Sequence, residues 1–385
     1  MDKTLFKPAE RMKHVSYPIR DIIMEAKKLE ASGTKMIYLN IGDPAVYGFE
    51  PPKKFTEGVK HALDGNYKGY APSPGDPELR EVAAKLEGCP PEDVFITEGL
   101  TEGIDFFFHA FLGPGEKLLL PNPTYPLYIT KVATYGINAI MYDHDANGEI
   151  DIADLEKKIP GAKAMVIINP NNPMGSVCSE ANLRRVVELC AAHNVPIFYD
   201  GSYDRILFGE YVDFRKIAKG KVPFIYGSSM SKNFLYPGAR VGWVAFHGEE
   251  WNDVKEPFFR MCNQRLSTNW EFQKGAAAAV TDLSHVRKFN SDLLARRDAM
   301  LKGTASLPLT YPKPMGAFYA FIQVDSPKWK GKTDWDFARA ALREGIVFVP
   351  GSGFGKQEQK VHFRTIFLPS PEIMELAFRK IEKIF

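Results

Sequence analysis

The stretch SSMSKNFLYPGAR (228–240) sets Ser229, Ser231, Lys232 and Arg240 between two apolar runs, VPFIYG (222–227) and VGWVAF (241–246). Both runs are rich in β-branched and aromatic residues and read as short buried strands. A lysine carried into a core costs several kcal/mol unless it is paired or neutral. Either this loop bulges out to water, or Lys232 works inside as a free amine, the form that acts as nucleophile or base.

Five further clusters bear on the choice. NPNNPMG (169–175) follows the strand-like AMVII, where a Pro/Asn/Gly cluster most simply makes a turn. FYDGSYD (198–204) places Asp200 at a strand end, with Tyr203 three residues on, and an Asp there commonly caps a helix. TEGLTEG (97–103) lies between a strand and a helix and offers amides suited to a phosphate. PNPTYPLY (121–128) presents Tyr125 past another strand end. Arg364 interrupts the apolar VHFRTIFL, where an arginine calls for an anionic partner. Two tempting motifs fail. PGSGFGK (350–356) lacks P-loop spacing and the following Ser or Thr, and neither HExxH nor GxSxG occurs.

The elements that must position these groups alternate. Apolar runs at 94–97, 117–121, 138–143, 164–170 and 195–200 are each followed or preceded by helical stretches, the pattern of a mostly parallel sheet covered on both faces. In such sheets sites form beyond the carboxyl ends of the strands, where several of the clusters sit. Beyond residue 270 the order changes to a long helical stretch (271–301), the run LTYPKPMGAFYAFIQV, a helix (334–344), IVFVPGSGFG, VHFRTIFL and a closing helix (371–385), suggesting a smaller α+β unit. The helix at 19–31 and a strand at 36–42 are expected to join it, being unstable apart.

Composition sets the class. A chain of 385 residues implies two domains, and 45% hydrophobic with 25% charged residues is ordinary for a globular enzyme. Lys plus Arg at 49 against Asp plus Glu at 47 leaves no basic stripe, which argues against nucleic acid and anionic membrane as partners. The charged N-terminus has no apolar signal region, no run reaches membrane-spanning length, and four scattered cysteines without CxxC spacing suit a reducing compartment. The expectation is a soluble cytoplasmic protein with no metal centre.

Together the clusters ask for one ligand with a phosphate, a flat ring, a partner for a carboxylate and an aldehyde for a lysine. Pyridoxal 5′-phosphate meets that list. The chain resembles the fold-type I aminotransferases of the class I/II group, through GDP (42–44), Tyr70 with GDPELR (75–80), PTYP (123–126), NNPMG (171–175), DGSY (200–203), SMSK (229–232) with Arg240, GAFY (316–319) and Arg364. The resemblance implies a mostly parallel seven-stranded sheet sandwiched by helices, with a large cofactor-binding domain over 45–275 and a small domain formed by 1–44 with 276–385.

It also implies roles. Lys232 would form the Schiff base with the cofactor. Ser229, Ser231, Arg240, the Leu100 amide and Thr101 would hold the phosphate, with Tyr70 reaching the phosphate of a neighbouring subunit in a homodimer with shared sites. Tyr125 would stack on the ring, Asp200 would keep the ring nitrogen protonated, and Tyr203 and Asn172 would hold the phenolic oxygen. Arg364 would take the substrate α-carboxylate with help from the Gly42 amide, and Tyr17 and Ile19 would lie near the substrate side chain. Two departures from the family pattern are DGSY after the strand and Leu100 where a small residue is usual.

YPIRDI, LNIGDP, GFEPP and HFRTIFLP look most like the alanine-aminotransferase-like branch, implying alanine or another small neutral donor and 2-oxoglutarate as acceptor. Arg260 and Arg265 are candidates for the second carboxylate of glutamate, or else for surface salt bridges. LL-diaminopimelate, aspartate and aromatic amino acids stay open, as does a carbon–sulfur lyase. A non-catalytic sensor module is disfavoured, because the chain leaves no room for a DNA-binding domain and keeps Lys232 and Arg364.

Overall fold

The computed structural model describes residues 7–15, 18–67, 69–355 and 360–385. Tyr17 lies outside the described residues. The central sheet has seven strands: β1 (Val94–Glu98), β2 (Lys117–Pro121), β3 (Asn138–Tyr142), β4 (Ala164–Ile168), β5 (Ile197–Asp200), β6 (Phe224–Ser229) and β7 (Val241–His247). Their spatial order is β1-β7-β6-β5-β4-β2-β3. Only β7 runs antiparallel to its neighbours. Strands β4, β5 and β6 are buried along their whole length, as expected when helices cover both faces. One face packs a core around Ile167, Tyr199, Tyr226 and Trp243, and the other around Phe107, Tyr128, Phe198 and Phe246.

A second set of elements packs against this sheet. A four-stranded antiparallel sheet runs Val349–Pro350, His362–Ile366, Tyr319–Val324, Leu309–Thr310. A parallel pair joins Ile37–Tyr38 to Ile346–Val347, so the two ends of the chain meet there. The third core is built mainly on Phe318, Ile322, Phe348, Phe363 and Phe378, yet it also takes in Tyr203, Ile206 and Leu235 from the central part of the chain.

Two expected elements differ. The strand expected at 36–42 pairs over two residues only, because its partner is itself two residues long. Beyond it Leu39 still bonds on both sides, its amide to the Val347 carbonyl at 2.9 Å and its carbonyl to the Ile366 amide at 3.0 Å, and the segment then carries Gly42 into a cleft. The expected long helix at 271–301 is two helices, Trp270–Ala279 and Ser284–Thr304. Between them Asp282 lies outside the second helix, whose N-cap is Leu283 with no side-chain cap, and its carboxylate accepts the Ser284 amide at 3.0 Å. Among the described residues no helix is long and apolar enough to cross a membrane, and no His/Cys/Asp/Glu cluster is arranged to hold a metal.

Candidate active site

A cleft of about 320 Å³ opens at the carboxyl ends of β4, β5 and β6, between the central sheet and the antiparallel one. Ile19, Gly42, Leu100, Thr101, Tyr125, Asn172, Asp200, Tyr203, Ser229, Ser231, Lys232, Arg240 and Arg364 all line it. Tyr70 does not. It stands 75% exposed, away from this cleft.

Lys232 sits in the turn that links β6 to β7. Its Nζ donates to the Gly42 carbonyl at 2.5 Å and lies 5.7 Å from the centre of the Phe318 ring. Burial pushes the ammonium pKa down to about 8. Asp43 opposes that shift, while Arg364 and Arg240 add to it. The amine stays mostly protonated at neutral pH, but about a tenth of it is free at pH 7, far more than for an ordinary lysine.

One end of the cleft is built to meet an anion. Gly99 precedes the helix α1 (Leu100–Phe111) in a left-handed conformation with no side-chain cap. Leu100 and Thr101 thus bring first-turn amides to the cleft wall without a side-chain acceptor. Arg240 sits over this helix start, donating to the carbonyls of Pro237 at 3.0 Å and Glu98 at 3.1 Å. A Cβ on Gly99 would lie 2.6 Å from an Arg240 guanidinium nitrogen, so only glycine lets the two meet.

Asp200 ends β5 and starts no helix. Its carboxylate accepts from the Ser202 amide (3.1 Å), the Ser202 hydroxyl (2.6 Å) and the Tyr128 hydroxyl (3.0 Å). Burial raises its pKa, and those three donors pull it back. Tyr203 shares a 3.1 Å hydrogen bond with the Tyr319 hydroxyl, and burial raises its pKa well above the usual phenol range.

Arg364 is 2% exposed on its antiparallel strand. It donates to Asn172 Oδ1 at 3.1 Å and to the Asn40 carbonyl at 2.5 Å, and lies over the rings of Tyr319 and Phe354. The expected anionic partner is absent: among the described residues no carboxylate pairs with it, and its Nε has no hydrogen-bond partner. Two neutral oxygens hold the side chain while leaving its charge for something else.

Arg260 and Arg265 are not at the cleft. Arg260 is exposed and pairs with Glu256, whereas Arg265 pairs with Glu102 at 3.3 Å and donates to the Ile96 carbonyl. Arg20 lines the cleft instead, exposed and, among the described residues, without a hydrogen-bond or ion-pair partner. Sequence reasoning passed over it, although it sits inside the quoted YPIRDI. It also missed Tyr128, Ser202 and Tyr319, which support Asp200 and Tyr203. Residues 34–381 match the family model described as aminotransferase class I and II. The chain belongs to that family. The aminotransferase is 32% identical to a glutamate-pyruvate aminotransferase AlaA of Haemophilus influenzae over 98% of each chain. It is 30% identical to an alanine aminotransferase of Mycobacterium tuberculosis, over 98% of this chain and 92% of that one. Among solved structures, an alanine aminotransferase from Pyrococcus furiosus superposes with a TM-score of 0.93 at 33% identity, covering 98% and 99% of the two chains. The enzyme is thus a transaminase of fold type I, and its cofactor is pyridoxal 5′-phosphate.

Proposed function

We propose that this aminotransferase moves the amino group between alanine and 2-oxoglutarate by a ping-pong sequence, one oxo acid leaving before the other enters. The observation that carries the reading is the buried Arg364 guanidinium, held beside Lys232's cleft by neutral oxygens and free to take a carboxylate. The relatives named for alanine and glutamate-pyruvate support the substrate pair.

The residues suit the cofactor. A helix start without a side-chain cap, joined by Ser229, Ser231 and Arg240, offers donors for a phosphate dianion. Asp200 offers a buried carboxylate to a protonated ring nitrogen, and Lys232 offers an amine with a depressed pKa. When bound, pyridoxal 5′-phosphate supplies an aldehyde that exchanges amines and a ring that takes up the electron pair left by the α-proton. Arg364, with the Gly42 amide, orients the amino acid by its α-carboxylate. Lys232 Nζ, as free amine, takes the α-proton and returns it. Asp200, its carboxylate fixed by Ser202 and Tyr128, would keep the ring nitrogen protonated. Tyr125 would cover the ring, and Tyr203 and Asn172 would hold its phenolic oxygen. Ile19 borders the side-chain pocket. Arg20 takes the distal carboxylate of glutamate, the one cation of the cleft left without a partner among the described residues.

We read residues 45–275 as the cofactor-binding domain and 1–44 with 276–385 as the small domain that supplies Arg364 and Ile19. The working unit in this reading is a cytoplasmic homodimer in which Tyr70 reaches the partner's phosphate. Its exposure in the single chain and four free cysteines support that assembly and compartment.

The test follows the cofactor's visible band in the purified enzyme. L-alanine should bleach it and 2-oxoglutarate restore it. Bleaching only by another amino acid, or restoration only by another oxo acid, would move the substrate, and pyruvate with ammonia from cystathionine would make it a lyase. Arg364→Ala should raise KM for every amino acid alike. Arg20→Ala should raise KM roughly 10- to 100-fold for glutamate and 2-oxoglutarate while alanine stays unchanged, the loss expected for one charge-assisted hydrogen bond. An equal effect on alanine would remove Arg20 from this role.

A further inference from the structure

We propose that Asn233 is the positioning residue for Lys232: its side chain clamps the turn carrying the lysine onto the turn that follows Asp200, so that amine and carboxylate keep one register. The inference rests on the roles given above to Lys232 and Asp200. Asn233 is 2% exposed and adjacent in the chain to Lys232. Its Nδ2 donates to Asp204 Oδ1 at 2.7 Å, to the Gly201 carbonyl at 3.1 Å and, at longer range, to Ser228 Oγ at 3.4 Å. Its Oδ1 accepts the Arg205 amide at 3.2 Å. One side chain thus touches both ends of the Asp200 turn and the last residues of β6.

The clamp is itself held. The Tyr226 hydroxyl donates to the other oxygen of Asp204 at 2.7 Å. From the helix Ser284–Thr304, His285 Nε2 donates to the Asn233 carbonyl at 2.9 Å, and Asn290 donates to the Arg205 carbonyl at 2.9 Å. A buried amide with this many satisfied bonds specifies a unique geometry, and an apolar residue of similar size would fill the space without doing so. Strands β5 and β6 already fix Asp200 opposite Gly227, but Lys232 lies five residues past that pairing, beyond the reach of the ladder.

The donor–acceptor direction makes the proposal testable. Asn233→Ala removes the clamp. Asn233→Asp sets a carboxylate against Asp204 and should be worse. Adding Asp204→Asn to Asn233→Asp restores the bond between these two side chains with the roles exchanged, while the Gly201 carbonyl loses its side-chain donor, so recovery is partial. Expected for Asn233→Ala is a kcat lower by roughly 10- to 100-fold with the KM for alanine little changed, since small misplacement of a reacting group costs about that much. The pH midpoint of the holoenzyme's visible band should shift as well. The charges facing Lys232 (Asp43, Arg240, Arg364) are untouched by these changes. Of the titratable groups around Asn233 (Asp204, Arg205, His285), only Asp204 is altered, and only in the exchange. Asn233→Asp adds a carboxylate of its own, so the midpoint is read on Asn233→Ala and on the exchange, which conserves net charge. The exchanged pair should recover about tenfold or more of the kcat lost in Asn233→Asp and return the midpoint towards wild type. An Asn233→Ala variant that keeps kcat and midpoint while only its melting temperature falls would overturn the proposal, as would a folded exchange variant with no recovery. Turnover persisting in Lys232→Ala is a separate result, which would remove the underlying role of the lysine and leave these outcomes distinguishable.

Discussion

At the scale of single residues the chemistry turns on one amine whose charge has been made unfavourable. Lys232 in the cofactor-free protein titrates at about 8, against 10.5 for an ordinary lysine. Below about pH 8 the amine is protonated and cannot attack. The rate at which cofactor-free protein takes up pyridoxal 5′-phosphate should therefore rise about tenfold per pH unit up to about 8 and then level. A flat profile across that range would place the amine elsewhere. The same shift has a stability consequence. Between about 8 and 10.5 the unfolded chain binds this proton and the folded chain does not, so the stability of the cofactor-free protein should rise with pH through that window and not below it. Lys232→Ala should flatten that contribution and reduce turnover by about 10³-fold or more. Of the site, the residues that carry charge or chemistry after a strand end were legible, because strand ends in parallel sheets face the cleft whatever the details of packing. Tyr128, Ser202 and Tyr319 were not, because their use depends on contacts made only in the fold: Tyr128 meets Asp200 across 72 positions of sequence.

At the scale of elements, the site depends on how closely the start of α1 sits on the sheet. Gly242 in β7 lies under that start, and a Cβ there would come within 2.6 Å of Gly99 C and Leu100 N. Both are backbone atoms and cannot rotate away. Gly242→Ala should lift the helix start, weaken cofactor retention and lower stability by about 1–3 kcal/mol. Equilibrium dialysis and thermal melts read the two effects, and unchanged retention would show that this close approach is dispensable. The strands of the central sheet were legible to within about two residues at either end. KLLLP is both the apolar run in sequence and the observed strand, since a strand buried on both faces has no reason to alternate. The short pairings were not, because a two-residue bridge such as Ile37–Tyr38 with Ile346–Val347 is decided by the partner's length. Neither was the break at 280–283, where VTDLS holds no Gly or Pro and the new helix starts after Leu283 without a side-chain cap.

At the scale of the whole molecule, Tyr70 separates a single chain from an assembly. It is 75% exposed, and in the proposed homodimer it would reach the neighbouring subunit's phosphate. Sedimentation should report a dimer, and Tyr70→Phe should weaken cofactor retention while leaving the fold and the dimer intact. A monomer with full activity would place the whole site in one chain. A related feature of the single chain has a consequence in time. The Asn40 carbonyl holds Arg364 across 324 positions, and the Gly42 carbonyl holds Lys232 across 190. At roughly 10 residues per second, a ribosome makes Asn40 about half a minute before its partner exists. Through that interval the segment around residue 40 waits without the contacts that define it. The cleft is therefore among the last parts of the enzyme to be born, and a cell judging a nascent chain by its active site would have to wait for nearly all of it.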